Sequence, residues 1–141
     1  MDRLLAYMHD GAKLAKLLVP AFRDPSSLVR NDAMRVIADM ARHHPEVEVP
    51  LDPVLDALDY PATTDRNKAA AILTGLLERE HSTVDRRRVI ERAGATLLAM
   101  LRLRQPNNHD FAFRILEAVS GEHYDERDYA AWDAWLASQR Q

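Results

Sequence analysis

Apolar residues recur at helical spacing along most of this chain, whereas the alternation typical of strands is almost absent. Between residues 24 and 43, small and aliphatic residues fall on one side of a helix: Leu28, Ala33, Val36, Ile37, Met40 and Ala41. Such a single stripe indicates a helix that is buried along one face. Proline, glycine and capping residues divide the chain into predicted helices at residues 2–22, 24–43, 51–59, 64–77, 85–104, 107–120 and 126–138.

A four-residue block recurs in the second, fourth and sixth of these helices. The three copies are Arg30-Asn31-Asp32-Ala33, Arg66-Asn67-Lys68-Ala69 and His109-Asp110-Phe111-Ala112, and each leads into aliphatic residues. Their offsets, 36 residues (66 minus 30) and 43 residues (109 minus 66), are typical of helical-repeat solenoids. The sequence therefore predicts an all-α fold, a right-handed α-solenoid of helix pairs with about seven helices.

The chain of 141 residues is predicted to form a single domain, residues 1–141, because no linker is long or polar enough to divide it. Within it we expect an N-terminal capping helix at 1–23, a first repeat at 24–60, a second at 61–105 and a third repeat or C-terminal cap at 106–141. Each repeat pairs a block-bearing helix with the helix that follows. The opening helix has no partner before it, so it is either a cap or the second half of a unit in a longer array.

The segment from Asp24 to Ala33 resembles the inter-repeat turn and first helix of bacterial HEAT repeats, in which Asp-Pro precedes Val-Arg and then small and aliphatic residues. Residues 64–70 look like a second copy. The tail with Trp132 and Trp135 is similar to the tryptophan-rich closing helix of many bacterial HEAT-repeat proteins. The third block departs from this pattern. The resemblance implies a curved, armadillo-type stack of HEAT-like helix pairs that binds proteins, less often nucleic acids, and has no shared catalytic residues.

The composition limits the chemistry that the chain is expected to perform and the compartment in which it is expected to lie. The chain has no cysteine, which excludes disulfides, thiolate nucleophiles and cysteine-ligated zinc. Its net charge of −3 argues against a general affinity for nucleic acids but leaves room for a local basic patch. No apolar stretch is long enough to cross a bilayer, and no signal-cleavage pattern follows the opening helix. We therefore expect a cytoplasmic protein without a membrane partner.

Residue types that carry chemistry are present, but not at the spacings that catalysis or metal binding requires. The six histidines are scattered, and no two of them are four residues apart on one helix face. The serines fall at predicted helix ends, and the four glycines are isolated, so no phosphate-binding loop is formed. The acidic cluster at 122–128 lacks the EF-hand pattern and indicates a helix start, with a loose cation site as the alternative. We predict no enzyme activity, catalytic residue, cofactor or metal.

The strongest candidate site lies on the longest predicted helix, at residues 85–104. One of its faces is aliphatic, whereas the other alternates arginines with small residues; this face consists of Arg88, Arg92, Ala95, Ala99 and Arg102. Arginine suits carboxylates and phosphates because its planar fork donates two parallel hydrogen bonds. We expect this stripe to line the concave side of the solenoid and to bind an acidic protein segment. The alternative is a solvated face that is partly neutralised by Glu78, Glu80 or Glu91.

Three functions compete on these grounds. The leading one is a non-catalytic scaffold or adaptor that binds the acidic segment of a protein partner through the arginine stripe. The second is a nucleic-acid-binding protein, which requires more basic surface than this chain shows and predicts steep salt dependence. The third, an enzyme, requires a cluster of titratable groups in a pocket, and the sequence contains no such pattern. The identity of the partner and the oligomeric state do not follow from the sequence.

Overall fold

The computed structural model describes the backbone of residues 2–140 and the side chains of residues 10–140. That backbone forms seven α-helices, one short 3₁₀ helix and no β-strand. The elements are α1 (Asp2–Leu18), the 3₁₀ helix (Val19–Arg23), α2 (Ser27–His43), α3 (Leu51–Leu58), α4 (Thr63–Leu77), α5 (Arg86–Leu101), α6 (Pro106–Ser120) and α7 (Tyr129–Gln139). The prediction of an all-α chain with about seven helices is confirmed.

Local capping explains where several helices begin. Ser26, Asp85 and Asp128 each accept a hydrogen bond from the backbone N–H three residues later, at the starts of α2, α5 and α7. The predicted start at residue 24 is wrong, because Asp24 does not cap α2. Its carboxylate accepts the N–H of Ser26 at 2.8 Å, so Asp24 shapes the turn before the helix and the helix starts later. Helix α6 begins at Pro106, without a capping side chain and one residue before its predicted start.

The helices pack in two rows. Helices α2, α4 and α6 lie side by side in one row, and the 3₁₀ helix, α3, α5 and α7 follow one another in the second. Across the rows, the 3₁₀ helix packs on α2, α3 on α4, and α5 on α6; α1 packs on both the 3₁₀ helix and α2. In contrast, no Cα atoms of α2 and α3, or of α4 and α5, lie within 8 Å of each other in the described elements. Helices of different rows therefore pack on each other where a short turn joins them, before α4 and before α6. The longer connections after α2 and α4 join helices that do not touch.

The first residue of the recurring block has the same tertiary role in α2 and α4. Nη1 of Arg30 donates to the carbonyls six and five residues earlier, at 2.8 and 3.0 Å. Nη1 of Arg66 donates to the carbonyls at the same two offsets, at 2.8 and 2.7 Å. At α6, His109 takes this place, and its Nδ1 lies 2.6 Å from the carbonyl oxygen of Leu101. Each block thus fastens the first turn of its helix to the segment that precedes it.

Small residues set the distance between the helices of the first row. The block alanines Ala33, Ala69 and Ala112 are all buried. Between α2 and α4 the backbones come so close that a Cβ atom built on Gly75 would lie 3.2 Å from the backbone of Ala41. Interiors pack at near-crystalline density, so residues without bulk are required where two helix axes approach this closely.

Aromatic side chains close the packing at α7. Trp132 is fully buried and meets the rings of Tyr124 and Trp135 edge to face, with centroids 5.0 and 6.0 Å away. Its indole N–H donates to the carbonyl oxygen of Asp125 at 3.1 Å, which satisfies its polar group. The segment before α7 is therefore held to the helix by both packing and a hydrogen bond.

Candidate partner-binding surface on helix α5

Helix α5 presents the five predicted binding residues on one side. Arg88, Ala95, Ala99 and the C-capping Arg102 are exposed, and Arg92 is half-buried. The opposite side of the helix enters the core through aliphatic residues: Val89, Ala93, Leu97, Met100 and Leu101. This division follows from the 100° that each residue advances around the helix axis.

The first two arginines of the stripe are paired with carboxylates of the neighbouring helix α3. Nε of Arg88 lies 3.1 Å from Oδ1 of Asp52, and Nη2 of Arg92 lies 2.8 Å from Oδ1 of Asp56. Both are charge-assisted hydrogen bonds, which are shorter and stronger than neutral ones. The stripe is therefore part of a contact between adjacent helices of the second row.

Further bonds extend this contact in both directions along the row. Asp56 also accepts a hydrogen bond from Arg23 of the 3₁₀ helix at 3.2 Å, and Arg102 donates to Asp133 of α7. A hydrogen bond from Thr96 to Asp59, the C-cap of α3, completes the set. We call the set the α5 ladder; its members are Arg23, Asp52, Asp56, Asp59, Arg88, Arg92, Thr96, Arg102 and Asp133.

The hydrogen bonds of the ladder shift the pKa values of its central pair, Asp56 and Arg92. The hydrogen bond from Arg92, followed by that from Arg23, lowers the pKa of Asp56 below its ordinary value of 3.8, although partial desolvation acts in the opposite direction. The same hydrogen bond raises the pKa of Arg92. Both groups therefore keep their charges throughout the neutral range, and the ladder is an ionic contact at physiological pH.

The sequence pointed to other counter-ions for the stripe: Glu78, Glu80 and Glu91. In the structure, Glu91 pairs with Arg87 at 3.2 Å, and Glu78 forms a two-pronged pair with Arg114 of α6. The carboxylates that meet the stripe come instead from α3 and α7. Among the described residues, none of these three glutamates pairs with an arginine of the stripe.

A signal for these counter-ions is present in the sequence. Asp52 precedes Arg88, and Asp56 precedes Arg92, by the same 36 residues that separate the first two recurring blocks. Residues one period apart occupy equivalent positions on neighbouring units of a repeat, so opposite charges at that offset are placed side by side. A search for charge complementarity at the repeat period identifies both pairs.

The arginines of the ladder retain unused hydrogen-bonding capacity. The side chains of Arg88, Arg92 and Arg102 are 43, 34 and 47% exposed. A guanidinium carries five N–H donors, and each of these three spends one of them on its aspartate. Beside them, the short side chains of Ala95 and Ala99 leave space above the helix for a ligand. The face is therefore able to accept a further carboxylate without releasing the aspartates.

The ladder as a whole is electrically balanced. Its four arginines face four aspartates, so their formal charges sum to zero. Among the described side chains near the ends of α5, Arg86 and Arg104 make no ion pair, and Arg87 is paired. The surface therefore offers directed donors at defined points rather than a broad positive field.

Neither a metal site nor a membrane-spanning helix is found within residues 10–140. No three histidine, aspartate or glutamate side chains in this range come together as metal ligands would. His109 is buried and held by the carbonyl of Leu101, as a structural histidine is. Over the described part of the chain, every helix falls short of the length and apolarity required to cross a membrane.

Comparison with known proteins does not assign the chain to a family. No protein-family model, curated protein or solved structure matches this chain. What the surface does must therefore be inferred from its own residues.

Proposed function

We propose that this chain is a non-catalytic scaffold, a right-handed solenoid of HEAT-like helix pairs whose α5 ladder binds an acidic segment of a partner protein in the cytoplasm. Two features support the repeat architecture. Arg30 and Arg66 make the same backbone bonds 36 residues apart, and successive helices continue two parallel rows of packing. Repeats of this kind offer extended surfaces to partners.

The observation that carries the binding proposal is the fixed position of half-exposed guanidinium groups. Asp52 and Asp56 hold Arg88 and Arg92 in place while other N–H donors remain unused. A partner that meets pre-positioned donors loses less conformational entropy than one that must order flexible side chains. Carboxylates of an acidic segment are the groups that such planar forks bind best in a protein partner.

The charge balance of the ladder favours a protein partner over a nucleic acid. Nucleic-acid binding depends mainly on neutralising many phosphates, and affinity then falls steeply with salt. The α5 ladder has no net positive charge, so it offers little to a phosphate backbone beyond the unpaired Arg86 and Arg104. An acidic segment, in contrast, requires only a few directed bonds.

The test is capture from a cell lysate by wild type and by the double variant Arg88→Gln/Arg92→Gln, each with and without nuclease. Glutamine is preferable to glutamate here because a glutamate would face Asp52 or Asp56 and disturb the helix contact. The matched control is Arg86→Gln/Arg87→Gln, which makes the same charge change on the first turn of the same helix. Circular dichroism melting establishes that all three proteins fold.

We expect a protein that is retained by wild type and by the control, lost with the double variant and indifferent to nuclease. Its binding segment, made as a synthetic peptide, should contain several carboxylates and lose affinity when they are replaced by amides. Retained material that disappears with nuclease would instead establish the nucleic-acid alternative. Equal retention by the double variant would show that the ladder only holds the helices together.

A further inference from the structure

A second surface lies where two of the long connections of the chain run beside the end of α1. The connections at 44–50 and 78–85 form one side of an open groove, and the end of α1 with the 3₁₀ helix forms the other. The groove has a volume of about 1100 Å³. Its floor is aliphatic, with Ala15, Val19, Val49, Leu51, Leu76 and Val84 along it. We call it the connection groove.

One arginine fixes the wall of this groove. Arg79 donates to the carbonyl oxygens of Ala41 at 3.0 Å, Val47 at 2.9 Å and His44 at 3.0 Å. These bonds tie the second connection to the end of α2 and to the first connection. They also turn the guanidinium donors toward the protein's own carbonyls, so Arg79 has little to offer an incoming ligand. The groove is thus a built feature rather than a gap between loose loops.

After a turn at residues 45–47, the first connection has no regular structure at residues 48–50 and leaves backbone groups unpaired. Residues 48–50 belong to no helix, and Pro50, the N-cap of α3, has φ −65° and ψ 134°. Within the described part of the chain, the N–H groups of Glu48 and Val49 donate to no protein acceptor. An extended edge with free main-chain groups is the kind of surface to which an extended peptide adds.

The charged residues that line the groove indicate which charge its ligand carries. Glu46, Glu48 and Asp85 line the groove, and Lys16 is its single lysine. Glu48 makes no ion pair with any described residue. Arg79 keeps its positive charge and interacts with Glu46, which also pairs with His44 at 3.3 Å. Glu48 is therefore the carboxylate that the first connection leaves for a ligand. Lysine or arginine on the occupant complements that side.

We infer that the connection groove binds an extended segment of a partner protein that lays aliphatic side chains on the floor and places lysine or arginine against Glu48. The occupant is opposite in charge to the acidic segment proposed for the α5 ladder. The chain then joins two partners of opposite charge, each through its own surface. The groove does not depend on the ladder, since no arginine of the ladder lines it.

The test begins with selection of peptides from a random phage-displayed library on the immobilised full chain. Selected peptides are synthesised with a fluorophore, and their affinities are measured by fluorescence anisotropy. Two variants challenge the groove: Glu48→Lys, an exposed change that leaves the core intact, and Val84→Arg, which fills the floor. Leu103→Arg is the matched control, because it adds the same side chain at an exposed leucine outside the groove.

We expect selected sequences that combine aliphatic residues with lysine or arginine. Their affinity should fall about tenfold with either groove variant and stay unchanged with Leu103→Arg and with Arg88→Gln/Arg92→Gln. Three results would each overturn the inference: no enriched sequence, enrichment without basic residues, or equal binding to Glu48→Lys. Because the ladder variant is measured with the same peptides, the experiment also shows whether the groove binds independently of the ladder, which the capture experiment tests separately.

Discussion

The carboxylate of Asp56 and the guanidinium of Arg92 lie 2.8 Å apart on adjacent helices, although 36 residues separate them in the sequence. The same offset separates Asp52 from Arg88, which also form a pair. It equals the spacing of the first two recurring blocks. The same 36-residue spacing therefore relates both the recurring blocks and these surface ion pairs.

The buried pair between Arg30 and Asp65 should be the costliest ionic contact to break. Asp65 is 1% exposed and lies 3.1 Å from Arg30, whose side chain is 18% exposed. Arg30→Met leaves this carboxylate buried without a cation, which should lower the free energy of unfolding by about 3 kcal/mol. Urea unfolding measures the change. Arg35→Met is the control: Arg35 is 68% exposed, and its loss should cost below about 1 kcal/mol. Equal effects of the two variants would contradict the assignment.

Gly75 should resist replacement by alanine although it lies within a helix. Alanine has the higher helix propensity by about 1 kcal/mol. Its Cβ, however, would lie 3.2 Å from the backbone of Ala41, and overpacking of this kind costs about 1–3 kcal/mol. We expect Gly75→Ala to lower stability by about 1 kcal/mol in urea unfolding. Ala95→Gly, on an exposed helix position, calibrates the propensity alone. A stabilised Gly75→Ala protein would show that α2 and α4 move apart freely.

The lowered pKa of Asp56 predicts a pH-dependent contribution to stability. Because the folded pKa lies below the ordinary value of 3.8, the contribution is fully present above that value and is lost as pH falls through the folded pKa. Asp56→Asn removes the titration. The stability difference between wild type and variant should therefore be constant near neutral pH and shrink as the solution becomes more acidic. Urea titrations over a series of pH values test this, and a difference independent of pH would contradict it.

Trp132 and Trp135 should differ in their tolerance of phenylalanine. Trp132 is fully buried and donates its indole N–H to Asp125, whereas Trp135 is 7% exposed and makes no such bond through its ring nitrogen. Trp132→Phe loses packing and leaves a carbonyl without its donor, which should cost about 2 kcal/mol. Trp135→Phe should cost about 1 kcal/mol less. Thermal unfolding of both variants gives the comparison, and a larger loss at Trp135 would refute it.

Much of the local structure could be predicted from spacing. The aliphatic stripe of each helix is a property of residues three or four apart, so the helices and most of their buried faces follow from the sequence alone. Leu28 is an exception: it was predicted on the buried stripe of α2 but is 69% exposed, because it lies in the first turn of the helix. Errors arise where two polar residues compete for one role. Asp24 and Ser26 are both good caps, and only the folded turn shows that Asp24 binds the N–H of Ser26 while Ser26 caps the helix.

The candidate site was only half visible in the sequence. The face of α5 that carries Arg88 and Arg92 follows from helical periodicity, because both residues belong to one element. Their aspartate partners do not, since they belong to a different helix, and the glutamates nearest in sequence proved to pair elsewhere. The connection groove was not visible at all, because its walls come from three separate segments of the chain.

The sequence by itself determined the class of the chain, the places of its helices, the buried stripe on each and the repeated blocks at 30 and 66, all of which depend on neighbours within a few turns. The tertiary structure alone decided that α3 packs on α4 rather than on α2, and where the groove opens. Such contacts depend on how each helix is rotated and shifted against the next. That arrangement is set by the packing of whole faces at near-crystalline density, which no local pattern of residues encodes.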